Sequence, residues 1–168
     1  SFEVVRAAPT LAAGATRELA ATVPGVCLIP GTGEYALATT PVRYETDPGN
    51  SRSANVNTPG DRTDFAVSLD QLTEELPDAT QVNLVVSWFG DDLRCGVCRI
   101  RPKVEQATVD GTGMPWHVSG LTRGTAQVLA QLEGRSVYGG TPADASVIEA
   151  IAALKAAGRD VTFYPFIL

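Results

Sequence analysis

The sequence predicts an α/β protein in which two parallel core strands are joined by a crossover holding a helix, preceded by a small, mostly β N-terminal region. Three observations carry this. Val82-Asn83-Leu84-Val85-Val86-Ser87-Trp88-Phe89 and Val161-Thr162-Phe163-Tyr164-Pro165-Phe166-Ile167-Leu168 are nearly continuous apolar runs, the pattern of strands buried on both faces. Thr141-Pro142-Ala143-Asp144 between them reads as a helix start, with Thr as N-cap, Pro at the first position and an acid at the third. The 168 residues are 44% hydrophobic and 19% charged, which supplies a core and excludes a disordered chain.

Taken in order, Thr16 to Thr22 reads as a short helical turn ended by Pro24. Val26-Cys27-Leu28-Ile29 is a buried strand followed by the turn Pro30-Gly31-Thr32-Gly33. Tyr35 to Thr39 is expected as a second strand, completing a hairpin. From Asp47 to Asp64 the residues turn to Pro, Gly, Asn, Ser, Asp and Arg, and a surface loop or linker is expected. Ser68 and Gln71 form a capping-box pattern ahead of Leu69, Leu72 and Leu76, and Pro77 stops that helix. Gly90-Asp91-Asp92 closes the first long strand. In the last helix Val147, Ile148, Ile151 and Leu154 form one apolar stripe, Lys155 lies in the last turn, and Gly158 supplies the stop. Residues 90–140 are then an insertion within one β-α-β unit. Two domains are expected: residues 1–66, β-rich and ending in the linker, and residues 67–168. Because two parallel strands leave unpaired edges, and Leu168 falls in the second of them, the chain is expected to be a fragment, or the ordered part, of a longer protein.

Thirteen basic and 19 acidic residues give a net charge of −6, which repels phosphate backbones and argues against direct nucleic-acid binding. The densest basic stretch, Arg94, Arg99, Arg101 and Lys103, reads as a solvated loop. No stretch approaches the roughly 20 apolar residues of a membrane span, and Ser1 to Ala21 lacks the pattern of a signal peptide. Three cysteines exclude a full disulfide framework. Cys95-Gly-Val-Cys98 stays open between plain thiols, a disulfide, and metal or redox chemistry. Gly31-Thr32-Gly33 and Gly111-Thr112-Gly113 lack phosphate-loop spacing. No cofactor and no metal site is expected.

The stretch Asn83 to Arg94, then Cys98-Arg99-Ile100-Arg101-Pro102-Lys103-Val104-Glu105, then Tyr138-Gly139-Gly140-Thr141-Pro142-Ala143-Asp144-Ala145-Ser146 and Val161 to Leu168, resembles the opening of the TIM-barrel-like domain in the megatron family of gene transfer agent baseplate proteins. The resemblance covers about residues 65–168, more weakly the N-terminal part. It implies the β-α-β start of a TIM-barrel-like domain, incomplete in this chain. It also implies a structural component of the tail tip or baseplate of a phage-like particle, made in the bacterial cytoplasm, that takes part in DNA delivery to a recipient cell. The partners it implies are other tail proteins and copies of the chain itself, with a trimer as the family expectation. The alternative it raises is a glycoside-hydrolase-like barrel that binds or cleaves an envelope glycan.

In a TIM barrel the chemistry sits at the C-terminal ends of the strands, where Asp91 and Asp92 would lie, so they are the candidate catalytic residues. Adjacent carboxylates seldom flank one glycosidic bond in the way hydrolysis needs. The competing expectation is that they cap backbone amides of the Gly90 turn or pair with Arg94. Trp116 and His117, the only histidine, could stack on a sugar or pack within the insertion. Glu105 and Asp110 have no partner that spacing alone can place.

Overall fold

The computed structural model describes residues 19–47 and 49–168. Thr16 to Glu18, and most of the N-terminal stretch read above for a signal peptide, lie outside the described residues. Leu19–Ala21 form a 3-10 turn.

Three strands make the central sheet: β1 (Gly25–Leu28), β4 (Gln81–Gly90) and β13 (Asp160–Ile167). β4 is in the middle and both neighbours run parallel to it. In register, Val26 and Val161 flank Val82, while Leu28 and Phe163 flank Leu84. The short β5 (Ile100–Arg101) pairs antiparallel with the C-terminal end of β4. The helices α1 (Asp64–Glu75) and α2 (Asp144–Ala156) pack on one face of this sheet. Phe65 and Leu72 of α1 join Val82, Leu84 and Val86 of β4 and Val147, Ala150 and Leu154 of α2 in one apolar core. The content is therefore mixed α/β, with two α-helices among the described residues and a mostly β N-terminal region.

The parallel pairing of the two long apolar runs agrees with the sequence, and so do the helix of the crossover and its stop at Gly158, whose φ is 75°. Other expectations are corrected. The first strand does not form a hairpin with Tyr35–Thr39. It pairs with β4, and Tyr35 to Ala38 form a buried turn. The reason is that Glu34 and Tyr35 are held by side chains from far along the chain, as described below. α1 begins before Ser68: Thr63 is its N-cap and its hydroxyl accepts the Ala66 N–H at 3.3 Å. α2 begins after Thr141. Thr141 is occupied elsewhere, its hydroxyl accepting the Lys103 N–H and its carbonyl the Trp116 indole N–H, so Ala143 holds the N-cap position.

The stretch from Asp47 to Asp64 is not all surface loop. β2 (Arg43–Asp47) and β3 (Asn50–Ser53) form a mostly exposed antiparallel hairpin. Asn55 beyond it is fully buried, accepting the Val42 N–H and donating to the Ala38 and Thr40 carbonyls. A short polar side chain here substitutes for missing backbone partners. The division expected between residues 66 and 67 falls inside α1, and β1 from its N-terminal side belongs to the central sheet.

The insertion is built from pairs of two-residue strands. β6 (Lys103–Val104) pairs with β10 (Gln127–Val128), β7 (Gly111–Thr112) joins the edge of β2, β8 (His117–Val118) pairs with β9 (Leu121–Thr122), and β11 (Gln131–Leu132) with β12 (Arg135–Ser136). These pieces wrap a second apolar core of Tyr35, Val42, Tyr44, Val104, Met114, Trp116 and Val118. Trp88 packs against both cores and joins them.

Candidate functional site

The second core encloses a network of charged side chains that no local pattern announces. Glu34 follows the turn after β1 and Arg123 follows β9, and they are only 1% and 4% exposed. Arg123 grips the Glu34 carboxylate with both terminal nitrogens, Nη1 donating to Oε1 at 3.0 Å and Nη2 to Oε2. Its other donors reach Gln106 O at 2.8 Å, Tyr35 Oη at 3.2 Å and, from Nε, Asp110 Oδ1 at 3.0 Å. Every N–H of the guanidinium thus has an acceptor. The remaining lone pairs of Glu34 take the Glu105 N–H at 2.6 Å and the Tyr44 hydroxyl at 3.1 Å. A buried ion pair is tolerable only when its leftover donors and acceptors are satisfied in this way.

Asp110 is the second acidic member. Its Oδ1 accepts from Tyr35 Oη, Gly111 N and Trp116 N, each at 2.9 Å. Burial alone would raise this carboxyl, but the Trp116 amide, Arg123, the Gly111 amide and Tyr35 outweigh it and hold it below the usual carboxylate range. Burial pushes Tyr35 and Tyr44 well above the ordinary phenol value, and Glu34 adds to the rise at Tyr44. Arg123 stays protonated, because the bonds to Glu34 and Asp110 overcome the opposing effect of burial.

Glu105 borders the same network and faces a polar cleft of about 720 Å³. Its Oε1 accepts the Gly140 N–H at 3.0 Å, and burial, with Glu34 nearby, raises its carboxyl above the ordinary value. Three glycines make the close approach possible. A Cβ at Gly33 would lie 2.8 Å from Glu105 Oε1, one at Gly140 2.7 Å from Glu34 Cγ, and one at Gly139 2.4 Å from the Gly33 nitrogen.

Asp91 and Asp92 do lie after the end of β4, and each is spent on its own loop. Asp91 Oδ1 accepts the Arg99 N–H at 2.7 Å. Asp92 accepts the Arg94 N–H at 2.8 Å and is forked by the Arg94 guanidinium, with Nη2 to Oδ2 at 2.7 Å. That side-chain bond lowers the Asp92 carboxyl. Cys95 and Cys98 sit as free thiols in the turn between, and Cys27 is free too. Lys103 Nζ stands 5.7 Å over the Phe89 ring. Trp116 is fully buried with its indole N–H on Thr141 O, whereas His117 is exposed, so the two form no platform for a sugar. Among the described residues, no group of three or more His, Cys, Asp or Glu is placed to hold a metal ion, and no helix is long and apolar enough to cross a membrane.

The structure therefore gives Glu105 and Asp110 the partners that spacing could not assign. It also adds Glu34, Tyr35, Tyr44 and Arg123, which sequence reasoning did not single out. The one usable signal was Glu34 standing between the Pro30–Gly33 turn and the start of the expected strand at Tyr35, an acid beside apolar residues. No protein-family model matches the sequence, and no curated protein matches it significantly.

Proposed function

We propose that the chain is an assembly component: the opening β-α-β portion of a TIM-barrel-like domain in the tail tip or baseplate of a gene-transfer-agent-like particle that delivers DNA to a recipient cell. The observation that carries this reading is the sheet's uncovered surface. Parallel sheets are ordinarily buried on both faces. Among the described residues, α1 and α2 cover the face of Val82, Leu84 and Val86, and no helix covers the other. On the opposite face Tyr164 and Phe166 remain nearly half exposed, beside a groove of about 250 Å³ lined in part by Ile29, Leu37, Val85, Tyr138, Phe166 and Leu168. Among the described residues β13 is also an edge strand, pairing with β4 alone. A parallel edge and an apolar face of this kind call for further protein, which the inner face and next strand of a barrel would supply.

The sequence resemblance over residues 65–168 supplies the particle and its tail tip, and copies of the chain and neighbouring tail proteins are the proposed partners. Asp91 and Asp92 favour assembly over catalysis, since both are engaged within the strand-end loop rather than facing each other across an open site. A density map of the tail tip of intact particles, traced with this sequence, tests the proposal. Repeated copies packed against neighbouring chains through β13 support it, and absence from the tail tip overturns it. DNA delivery by Asp91→Asn and Asp92→Asn particles tests the glycoside-hydrolase alternative: assembled but non-delivering particles would favour it.

A further inference from the structure

The 720 Å³ cleft beside Glu105 adjoins the β13 groove, sharing Thr32, Tyr138 and Gly139 with it, but its charged lining residues lie outside that groove and do not depend on the assembly proposal. It is formed where the Thr32 turn, β3, the segment after β6 and the β11–β12 hairpin meet, and its size falls within the range of small-ligand pockets. Much of its polar wall is already occupied. Gln106 closes on Thr108 and Val109, while Gln131 Nε2 and Ser136 Oγ both donate to the Glu105 carbonyl, at 3.0 and 2.8 Å. Two lining cations are different. Arg52 overhangs the Tyr44 ring at 5.5 Å and acts on the Glu105 carboxylate without contacting it, and neither it nor Arg135 forms a direct ion pair among the described residues. In a chain of net charge −6, two arginines against the single lining carboxylate of Glu105 leave this cleft with a local excess of positive charge. Guanidinium groups suit planar or tetrahedral oxyanions through forked hydrogen bonds. Tyr138, more than half exposed on the same cleft, offers an aromatic edge or face to the body of a ligand.

We propose that this cleft binds a small anionic ligand, its carboxylate or phosphate group engaged by Arg52 and Arg135 and its body lying against Tyr138. Glu105, the acid of the cleft, opposes the ligand's charge and limits its affinity.

Titration calorimetry on the whole chain at low ionic strength, with glucuronate, inorganic phosphate and neutral methyl glucoside as probes, tests this. The expected result is binding of glucuronate or phosphate, weakened by salt, with no binding of methyl glucoside. Whichever anion binds more tightly identifies the preferred head group. The double variant Arg52→Ala, Arg135→Ala should lose at least about tenfold in affinity, equivalent to about 1.4 kcal/mol. Glu105→Gln should bind several-fold more tightly while keeping an acceptor for Gly140. Both arginines are exposed, so thermal unfolding of the double variant should match that of the parent and separate lost binding from lost folding. Failure of both anions to bind, or unchanged affinity in a folded double variant, overturns the proposal.

Discussion

Arg123 closes both terminal nitrogens on the carboxylate of Glu34 across 89 residues of sequence, inside a core that admits almost no water. The pair fastens the turn after β1 to the insertion, so two segments that the sequence places far apart form a single unit.

Removing one partner of this pair should be costly. Arg123→Met leaves Glu34 and Asp110 with unmet charge and is expected to lose about 3–5 kcal/mol of stability. Replacing both members, Arg123→Met with Glu34→Gln, should lose less than the sum of the single changes. Chemical denaturation of the three variants gives the coupling energy directly. Additive losses would mean that the pair is not an energetic unit.

The glycine seam should be equally intolerant. Gly140→Ala places a methyl group 2.7 Å from Glu34 Cγ, and Gly139→Ala places one 2.4 Å from the Gly33 backbone nitrogen. Each is expected to destabilise by about 1–3 kcal/mol through overpacking, with the larger effect at Gly139, where the obstacle is backbone. Gly124→Ala, with open space around its Cβ position, serves as the control and should be near neutral.

Two carboxyl groups should give opposite pH signatures. Glu105 has a raised value in the folded state, so the folded chain holds its proton longer than the unfolded chain. Stability is lost as pH rises from the unfolded value toward the folded one. Glu105→Gln should therefore gain on the parent as pH climbs through this window and hold a constant advantage above it. Asp110 has a lowered value. Its contribution is present above the unfolded pKa and is lost as pH falls through the folded one. Asp110→Asn should accordingly cost most near neutrality and progressively less in acid. Denaturation midpoints across pH 3–8, roughly the span set by ordinary carboxyl values, would show the two trends crossing, and parallel curves would refute the assignment.

Glu149 ties α2 to the segment after the buried turn. One oxygen accepts the Thr39 and Thr40 N–H groups and the Thr39 hydroxyl, and the other accepts the Thr40 hydroxyl, all between 2.8 and 3.0 Å. Glu149→Ala should cost about 1.5–3 kcal/mol, the range for hydrogen bonds to a charged group. Hydrogen exchange at the Thr39 and Thr40 amides should accelerate well beyond the change in global stability.

The long elements were legible because their own residues decide them. β4 is an apolar run that the middle of a sheet suits, and the similar run of β13 pairs with it, although as an edge strand β13 stays largely exposed rather than buried on both faces. α2 turns Val147, Ile151 and Leu154 toward that sheet, while Ile148, expected in the same stripe, is 66% exposed. Elements settled by distant partners were not. Tyr35 to Thr39 has the composition of a strand, yet the Tyr35 hydroxyl lies on Asp110 and the Glu34 carboxylate on Arg123, so the segment folds as a turn. Thr141 has the composition of an N-cap, but Lys103 and Trp116 claim its polar groups first. Within the candidate site, the apolar run ending at Gly90 sets Asp91 and Asp92 at the strand end, and the turn composition there suits their bonds to the loop. Arg123 gave no local signal, because its five donors are matched only when residues 34–35 and 106–110 come together around it.

Trp88 and Trp116 are the only tryptophans in the chain, and the fold assigns them unlike surroundings. Trp116 is sealed within the core of the insertion, while Trp88 spans the joint between that core and the sheet. The molecule thus carries two intrinsic fluorophores, one for each environment. Emission from a Trp116→Phe variant would follow the joint alone, and emission from Trp88→Phe the insertion alone. Coincident transitions would show that the small strands of the insertion melt with the sheet as one cooperative body, and a blue-shifted Trp116 surviving after Trp88 has been quenched would date the order in which the two cores part.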